Sequence, residues 1–202
     1  VNNPNHNYNE VKPYLVGYTI NSNNYSSPNF SGIRQYSAKL PLIGKKDTLL
    51  CYVSKLTRED VPYFQKYQGL WSSNEFLTVR NFLKKSRLQK TGKKLGNLEK
   101  TEFYMLEQPS EQDPKKVVKA IAQITQKPDS MRLDFLQSAR CRNQKTNVSG
   151  AGSVMIYVLS QLAKKAQKTK FDLEAFYGAF GFYKNLGLRD SYPETATHAD
   201  SD

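Results

Sequence analysis

The sequence predicts an α+β domain. Three observations carry that prediction. Two helical runs precede residue 90, three β-prone runs with short turns lie between residues 102 and 139, and a glycine turn at Gly150 opens an apolar helix. Short connections join antiparallel strands, so the three β-prone runs read as a meander.

The elements follow in order. Residues 1–30 hold nine Asn, with Ser, Pro and Tyr, and only Glu10 and Lys12 are charged. Such composition reads as loop or disorder, with one strand within Val11–Ile20. Residues 1–46 are therefore expected to be an Asn-rich arm, partly disordered or packed on the domain, which runs from 47 to 190. Thr48–Leu56 reads as a strand. Thr57 or Asp60 caps a helix after it, with Pro62 in its first turn, and Gly69 ends that helix. A second helix covers Ser73–Leu88, with Phe76, Val79, Phe82 and Leu83 at helical spacing. The meander strands are Glu102–Gln108, Lys116–Gln126 and Ser130–Ala139, with Val118, Ala120, Ala122 and Ile124 expected on one face. Pro109–Pro114 and Lys127-Pro128-Asp129 make the turns. A helix from Gly150 to Gln167 presents Met155, Val158, Leu159, Leu162 and Ala166 on one side. Phe171–Ala175 is the next strand. The last helix places Ala179, Phe182, Tyr183 and Leu186 at i, i+3, i+4 and i+7, and Gly187 stops it. Residues 191–202 read as a polar, acidic tail.

Composition narrows the function. At 38% hydrophobic, with thirteen Tyr and ten Phe, the chain can bury a core. No run of eighteen apolar residues occurs, so no membrane-spanning helix and a cytoplasmic location are expected. The chain begins at Val1, as a trimmed or processed product would. Cys51 and Cys141 stand ninety residues apart, and reduced thiols are the simpler reading than one disulfide. The only histidines, His6 and His198, fall in the two tail-like ends. A Ser-His-Asp or Cys-His nucleophile system then lacks its imidazole, and no zinc cluster forms from two distant Cys. No G-x-x-x-x-G-K-[ST] run is present, and Gly150-Ala151-Gly152 lacks the third glycine of a dinucleotide fingerprint because Met155 occupies that position.

The net charge of +12 favours an anionic partner. Arg80–Lys100 concentrates eight cations, Arg80, Lys84, Lys85, Arg87, Lys90, Lys93, Lys94 and Lys100, against Glu99 alone. It reads either as a solvated face and basic loop or as an electrostatic seat for RNA or an acidic substrate.

Asn147-Val148-Ser149-Gly150-Ala151-Gly152 is a glycine turn that runs straight into a helix. Such a turn aims several N–H groups at one point, where the helix dipole adds partial positive charge, and so it suits phosphate. The aromatic helix about thirty residues on offers a tyrosine hydroxyl. A phosphate-bearing cofactor and a proton donor make a transferase-like pair.

These residues resemble the GNAT superfamily of acyl-CoA-dependent N-acyltransferases. The family turn Gln/Arg-x-x-Gly-x-Gly/Ala is matched by Asn147-x-x-Gly150-x-Gly152, with Asn147 in place of the longer Gln or Arg. The family helix Ala-x-x-Phe-Tyr-x-x-Leu-Gly-Phe is matched by Ala179-x-x-Phe182-Tyr183-x-x-Leu186-Gly187-Leu188, with Leu188 for Phe. The element order agrees from residue 47 to 190. The resemblance implies a central mixed, mostly antiparallel twisted sheet flanked by helices.

It also implies acetyl transfer from acetyl-CoA, as cosubstrate, to an amine, with no metal and no covalent enzyme intermediate. Gln137, Ser138 and Ala139 would pair by backbone with the pantetheine arm. Asn147, Val148, Ser149, Gly150, Ala151, Gly152 and Ser153 would hold the pyrophosphate, with Arg142 restoring charge beside Arg140 and Lys145. Tyr183 would reprotonate the leaving thiolate. An amine near pKa 10.4 must lose a proton before attack. Glu102, Glu107, Asp134 and Glu174 lie on suitable strands, and Glu107 and Asp134 are carried forward as candidate bases. Cys141 reads as a passive thiol, and Gly69 and Trp71 fall where the acceptor would bind. The acceptor itself, RNA-borne, protein or small molecule, stays open, as does monomer against homodimer. A non-catalytic GNAT scaffold that binds RNA or senses acyl-CoA is the alternative.

Overall fold

The computed structural model describes residues 20–21, 33–41, 46–67, 76–108, 117–138, 150–175 and 177–189. The chain divides into two compact units: Val16–Glu174, and Ala175–Asp202 with Val1–Leu15.

The first unit is built on one seven-stranded sheet. Its strands are β1 (Ile20–Asn21), β2 (Ile33–Pro41), β3 (Thr48–Lys55), β4 (Thr101–Glu107), β5 (Val118–Gln126), β6 (Ser130–Ser138) and β7 (Lys170–Leu173), side by side in chain order. Every neighbouring pair is antiparallel except β6 and β7. The expected mixed, mostly antiparallel sheet is present, with the β4–β5–β6 meander at its centre. β2 comes from the stretch read as an arm. Its pairing with β3 puts Ala38 and Leu40 in the core. Its Tyr36, Ala38 and Leu40 alternate with Ser37 and Lys39, a period-2 signal that the reading of the stretch as an Asn-rich arm passed over.

Among the described residues this unit has three helices: α1 (Val61–Tyr67), α2 (Phe76–Lys90) and α3 (Ala151–Lys165). A 3-10 turn, Arg58–Asp60, leads into α1. Asp60 anchors it by accepting from the Thr57 N–H at 2.6 Å and the Thr57 hydroxyl at 3.1 Å. Pro62 stands in the first turn of α1, where its missing N–H costs no helical bond. Phe64 of α1 and Val79 and Phe82 of α2 pack on Phe103, Met105, Val118 and Ile121 of the sheet. Phe82 meets Phe64 and Phe103 edge to face, each with ring centres 5.5 Å apart. The expected stripe on α2 holds at Val79 and Phe82, whereas the Phe76 side chain lies outside the described residues.

α3 packs on β5, β6, β7 and β2. It buries Val154, Met155, Ile156, Val158 and Leu159, a wider face than expected, while Ala166 is exposed. Every residue from Val118 to Ile124 is buried, so helices cover β5 on both sides. One expectation fails here. Val118 clusters with Ile121, not on the face of Ala120 and Ala122. Leu106 pairs with Ala120 but Glu107 with Val118, so Lys119 is an extra residue that shifts the alternation.

Candidate functional site

β6, β7 and α3 form one strand–helix–strand unit. The parallel pairing runs from Ser130 with Lys170 to Leu133 with Leu173, where β7 ends. The starting ends are tied together: Asp129 O accepts from the Thr169 N–H at 2.9 Å, and Lys168 Nζ donates to Lys127 O at 2.7 Å. Among the described residues no strand pairs with that edge of β6 from Asp134 to Ser138. A bare strand edge is a row of N–H and C=O groups ready to take another extended chain. Gln137 and Ser138 close this row, held on the other side by Ile121 and Ala120.

α3 starts at Gly150, whose φ of +78° and ψ of 7° lie in the left-handed region. A side chain there costs about 1–2 kcal/mol, which accounts for glycine. Gly150 O accepts from the Val154 N–H at 3.0 Å, closing the first turn. The N–H groups of Ala151, Gly152 and Ser153 find no partner among the described residues, no side chain caps the helix, and no acid sits in its first turn. Among the described residues nothing compensates the positive end of this fifteen-residue helix. These donors and the bare β6 edge fit a ligand that carries both an amide-bearing arm and a diphosphate. Ala139, Arg142, Asn147, Val148 and Ser149 lie outside the described residues, as do Arg140, Cys141, Lys145, Gly69 and Trp71.

The two carboxylates stand in different surroundings. Asp134 is a bulge residue, since Gln123 pairs with Phe135 and Ile124 with Leu133. It is partly buried and accepts from Thr125 Oγ1 at 2.6 Å, Gln123 Nε2 at 3.3 Å and Arg132 Nε at 2.9 Å. Glu107 is fully buried and accepts from Ser54 Oγ at 3.0 Å. Gln137 Oε1 accepts from Thr78 Oγ1 of α2 at 3.4 Å. Among the described residues no group of three or more His, Cys, Asp or Glu is placed to hold a metal. No described helix is long and apolar enough to cross a membrane.

Tyr183 belongs to the second unit. There a 3-10 turn, Tyr177–Ala179, leads into α4 (Phe180–Asn185). Gly187, at φ +83°, follows as the expected stop, and its N–H donates to Lys184 O at 2.9 Å. Leu186 is buried, whereas Phe182 is 39% exposed. Tyr183 is partly buried and meets the Phe182 ring edge on at 5.2 Å. Burial pushes its phenol pKa up, so the hydroxyl keeps its proton across the neutral range.

Two polar groupings escaped the sequence reading. Cys51, Ser54, Glu107 and Lys119 are all buried where β3, β4 and β5 adjoin. Burial pushes the Cys51 thiol up to about 12, Lys119 opposes and Glu107 reinforces. The second grouping surrounds Glu102, which accepts from Lys55 Nζ at 2.5 Å, Tyr104 OH at 2.9 Å and Gln126 Nε2 at 3.3 Å. Burial raises the Glu102 carboxyl, but Lys55 and the other donors outweigh it and hold the pKa below its ordinary value. Glu102, a candidate base in the sequence, is thus engaged as an ion-pair partner.

No family model matches the chain, and no curated protein matches it. Solved structures do. A ribosomal-protein-alanine N-acetyltransferase from Brucella melitensis is 11% identical with a TM-score of 0.45, over 73% of this chain and 98% of that one. A transcriptional regulator from Bacillus halodurans is 14% identical at 0.47, over 73% and 99%. The PaiA N-acetyltransferase from Thermoplasma acidophilum, in complex with coenzyme A, is 14% identical at 0.40, over 67% and 87%. Scores this low carry no argument about this chain, so the reading rests on its own residues. In element order, in the parallel β6–β7 pair and in the glycine-started helix between them, the chain resembles the GNAT superfamily of acyl-CoA-dependent N-acyltransferases.

Proposed function

We propose that the protein is an N-acetyltransferase that moves an acetyl group from acetyl-CoA to an amine. One observation carries the reading. The bare β6 edge from Asp134 to Ser138 and the uncapped start of α3 at Gly150 lie on successive elements of one strand–helix–strand unit. The backbone of Gln137 and Ser138 would bind the pantetheine amides as an added strand. The amides of Ala151, Gly152 and Ser153 would hold the diphosphate. Bound acetyl-CoA supplies the acyl group as a thioester, whose C–S bond breaks as the amine's N–C bond forms.

Two protons must be handled. The attacking amine gives one up, and the departing thiolate gains one. Neither carboxylate is free for the first task as it stands: Glu107 is fully buried, and the Asp134 side chain is 8% exposed and paired with Arg132 Nε at 2.9 Å, so Asp134 would serve only on leaving that pair. Tyr183 is assigned the second on the match of its helix to the family pattern, and its raised pKa keeps it protonated for that role. A screen of amine acceptors, read by thiol release, tests the reading. Turnover with one acceptor class supports it. In Tyr183→Phe, kcat falls about a hundredfold or more with little change in the acetyl-CoA KM. Thiol release from no acceptor despite tight coenzyme binding would favour the acyl-CoA-sensing alternative.

A further inference from the structure

Four of the eight cations in Arg80–Lys100 share one groove. It lies between α1 and α2, encloses about 980 Å³, and is lined by Arg80, Lys84, Arg87 and Lys90. Arg58, from the turn before α1, joins them across the groove. All five are exposed, no acid lines the groove among the described residues, and none of the five forms an ion pair with a described carboxylate. Lys85 is turned elsewhere, donating to Thr101 O and to Glu99 O. Five cations in one concavity, with no acid partner among the described residues, repel one another and focus a positive field, which an anionic partner relieves.

The spacing selects the partner. Arg80, Lys84 and Arg87 stand at i, i+4 and i+7, on one side of α2. From Arg80 to Lys90 the helix rises about 15 Å, as far as a duplex rises along its axis in about four base-pair steps. Among the described residues the lining includes Val61, Pro62 and Leu83 but no aromatic ring. Single strands are held largely by stacking bases on aromatics, and the described lining supplies none. We propose that the α1–α2 groove binds the sugar-phosphate backbone of a nucleic-acid duplex, through Arg58, Arg80, Lys84, Arg87 and Lys90. The contact is sequence-independent, because every donor is a cation suited to phosphate.

Fluorescence anisotropy on the full chain, without acetyl-CoA, tests this. The probes are a 16-base-pair RNA duplex, the DNA duplex of the same sequence, the single strand, and polyglutamate as competitor. Binding of either duplex, weakened about twentyfold between 100 and 200 mM salt, is expected for five neutralised phosphates. Arg80→Gln/Lys84→Gln/Arg87→Gln should weaken it about a hundredfold or more at 100 mM salt and flatten the salt slope by about three. Lys93→Gln/Lys94→Gln, which removes charge outside the groove, should leave both nearly unchanged. Circular dichroism melting checks that the variants fold. Failure of both duplexes, wild-type binding by the triple variant, or a single strand held as tightly as a duplex would overturn the proposal. Displacement by polyglutamate at equal charge would assign the groove to an acidic protein instead. Binding is read without acyl transfer, so its failure is distinguishable from a failure of the acetyltransferase reading.

Discussion

Replacing Gly150 by alanine separates the two roles of that residue. Its φ of +78° places any L side chain in the left-handed region, at a cost of about 1–2 kcal/mol. Gly92, at φ +65°, and Gly96, at φ +54°, carry the same kind of strain, with nothing within 4 Å of an added Cβ. Each alanine variant should therefore lose at least about 1–2 kcal/mol from the backbone in urea unfolding, with unchanged m. They should differ in coenzyme affinity. If the backbone at Gly150 relaxes toward a right-handed conformation, the amides of Ala151, Gly152 and Ser153 turn from their common target. One hydrogen bond to a charged phosphate is worth about 1.5–3 kcal/mol, which converts to a tenfold to hundredfold rise in Kd. Isothermal titration with coenzyme A reads this directly. Gly150→Ala should weaken binding by that factor while Gly92→Ala and Gly96→Ala bind as wild type. Equal affinities in all three would refute the diphosphate assignment.

Other predictions concern the core. Leu159 of α3 is fully buried, so Leu159→Ala should cost about 2–5 kcal/mol and lower Tm by roughly 5–15 °C; a loss under 1 kcal/mol in urea unfolding would contradict the packing. Ser54→Ala removes a donor from the buried Glu107 carboxylate and should cost about 1.5–3 kcal/mol by the same measurement, where a change below 0.5 kcal/mol would count against that contact. Cys51 has its pKa raised from 9.0 to about 12, so its stabilising contribution is fully present below pH 9 and is lost as pH rises toward 12. Wild type should lose up to about 1.4 kcal/mol more per pH unit than Cys51→Ala over that window; parallel stability curves for the two would contradict it.

The element order from β3 to α4 was legible because each piece carries a local signal. Alternation marks β5, 3.6-residue spacing marks α2 and α3, and a glycine marks each of the turns at Gly150 and Gly187. β2 is completed by pairing with β3, and its local signal, the alternation of Tyr36, Ala38 and Leu40 with Ser37 and Lys39, was present but passed over beside the Asn-rich stretch. What was not legible depends on partners distant in sequence. The bulges at Lys119 and Asp134 arise from register between strands, so neither the displaced Val118 nor the bonds to Asp134 can be read from a single strand. Lys119 lies in a run of apolar residues, yet its burial beside Cys51 and Glu107 needs three strands to be in place. Of the candidate site, the Gly150 turn was visible as a motif. The bare edge of β6 was not, because it depends on where β7 stops pairing.

The most direct test of the account is isothermal titration of the full chain with coenzyme A and with 3′-dephospho-coenzyme A. The two share the pantetheine arm and the diphosphate and differ only in the ribose phosphate. If β6 and the start of α3 hold the shared parts, both ligands bind one site per chain, and Gly150→Ala weakens both by the same factor. No heat with either ligand, or an affinity that Gly150→Ala leaves untouched, would contradict it.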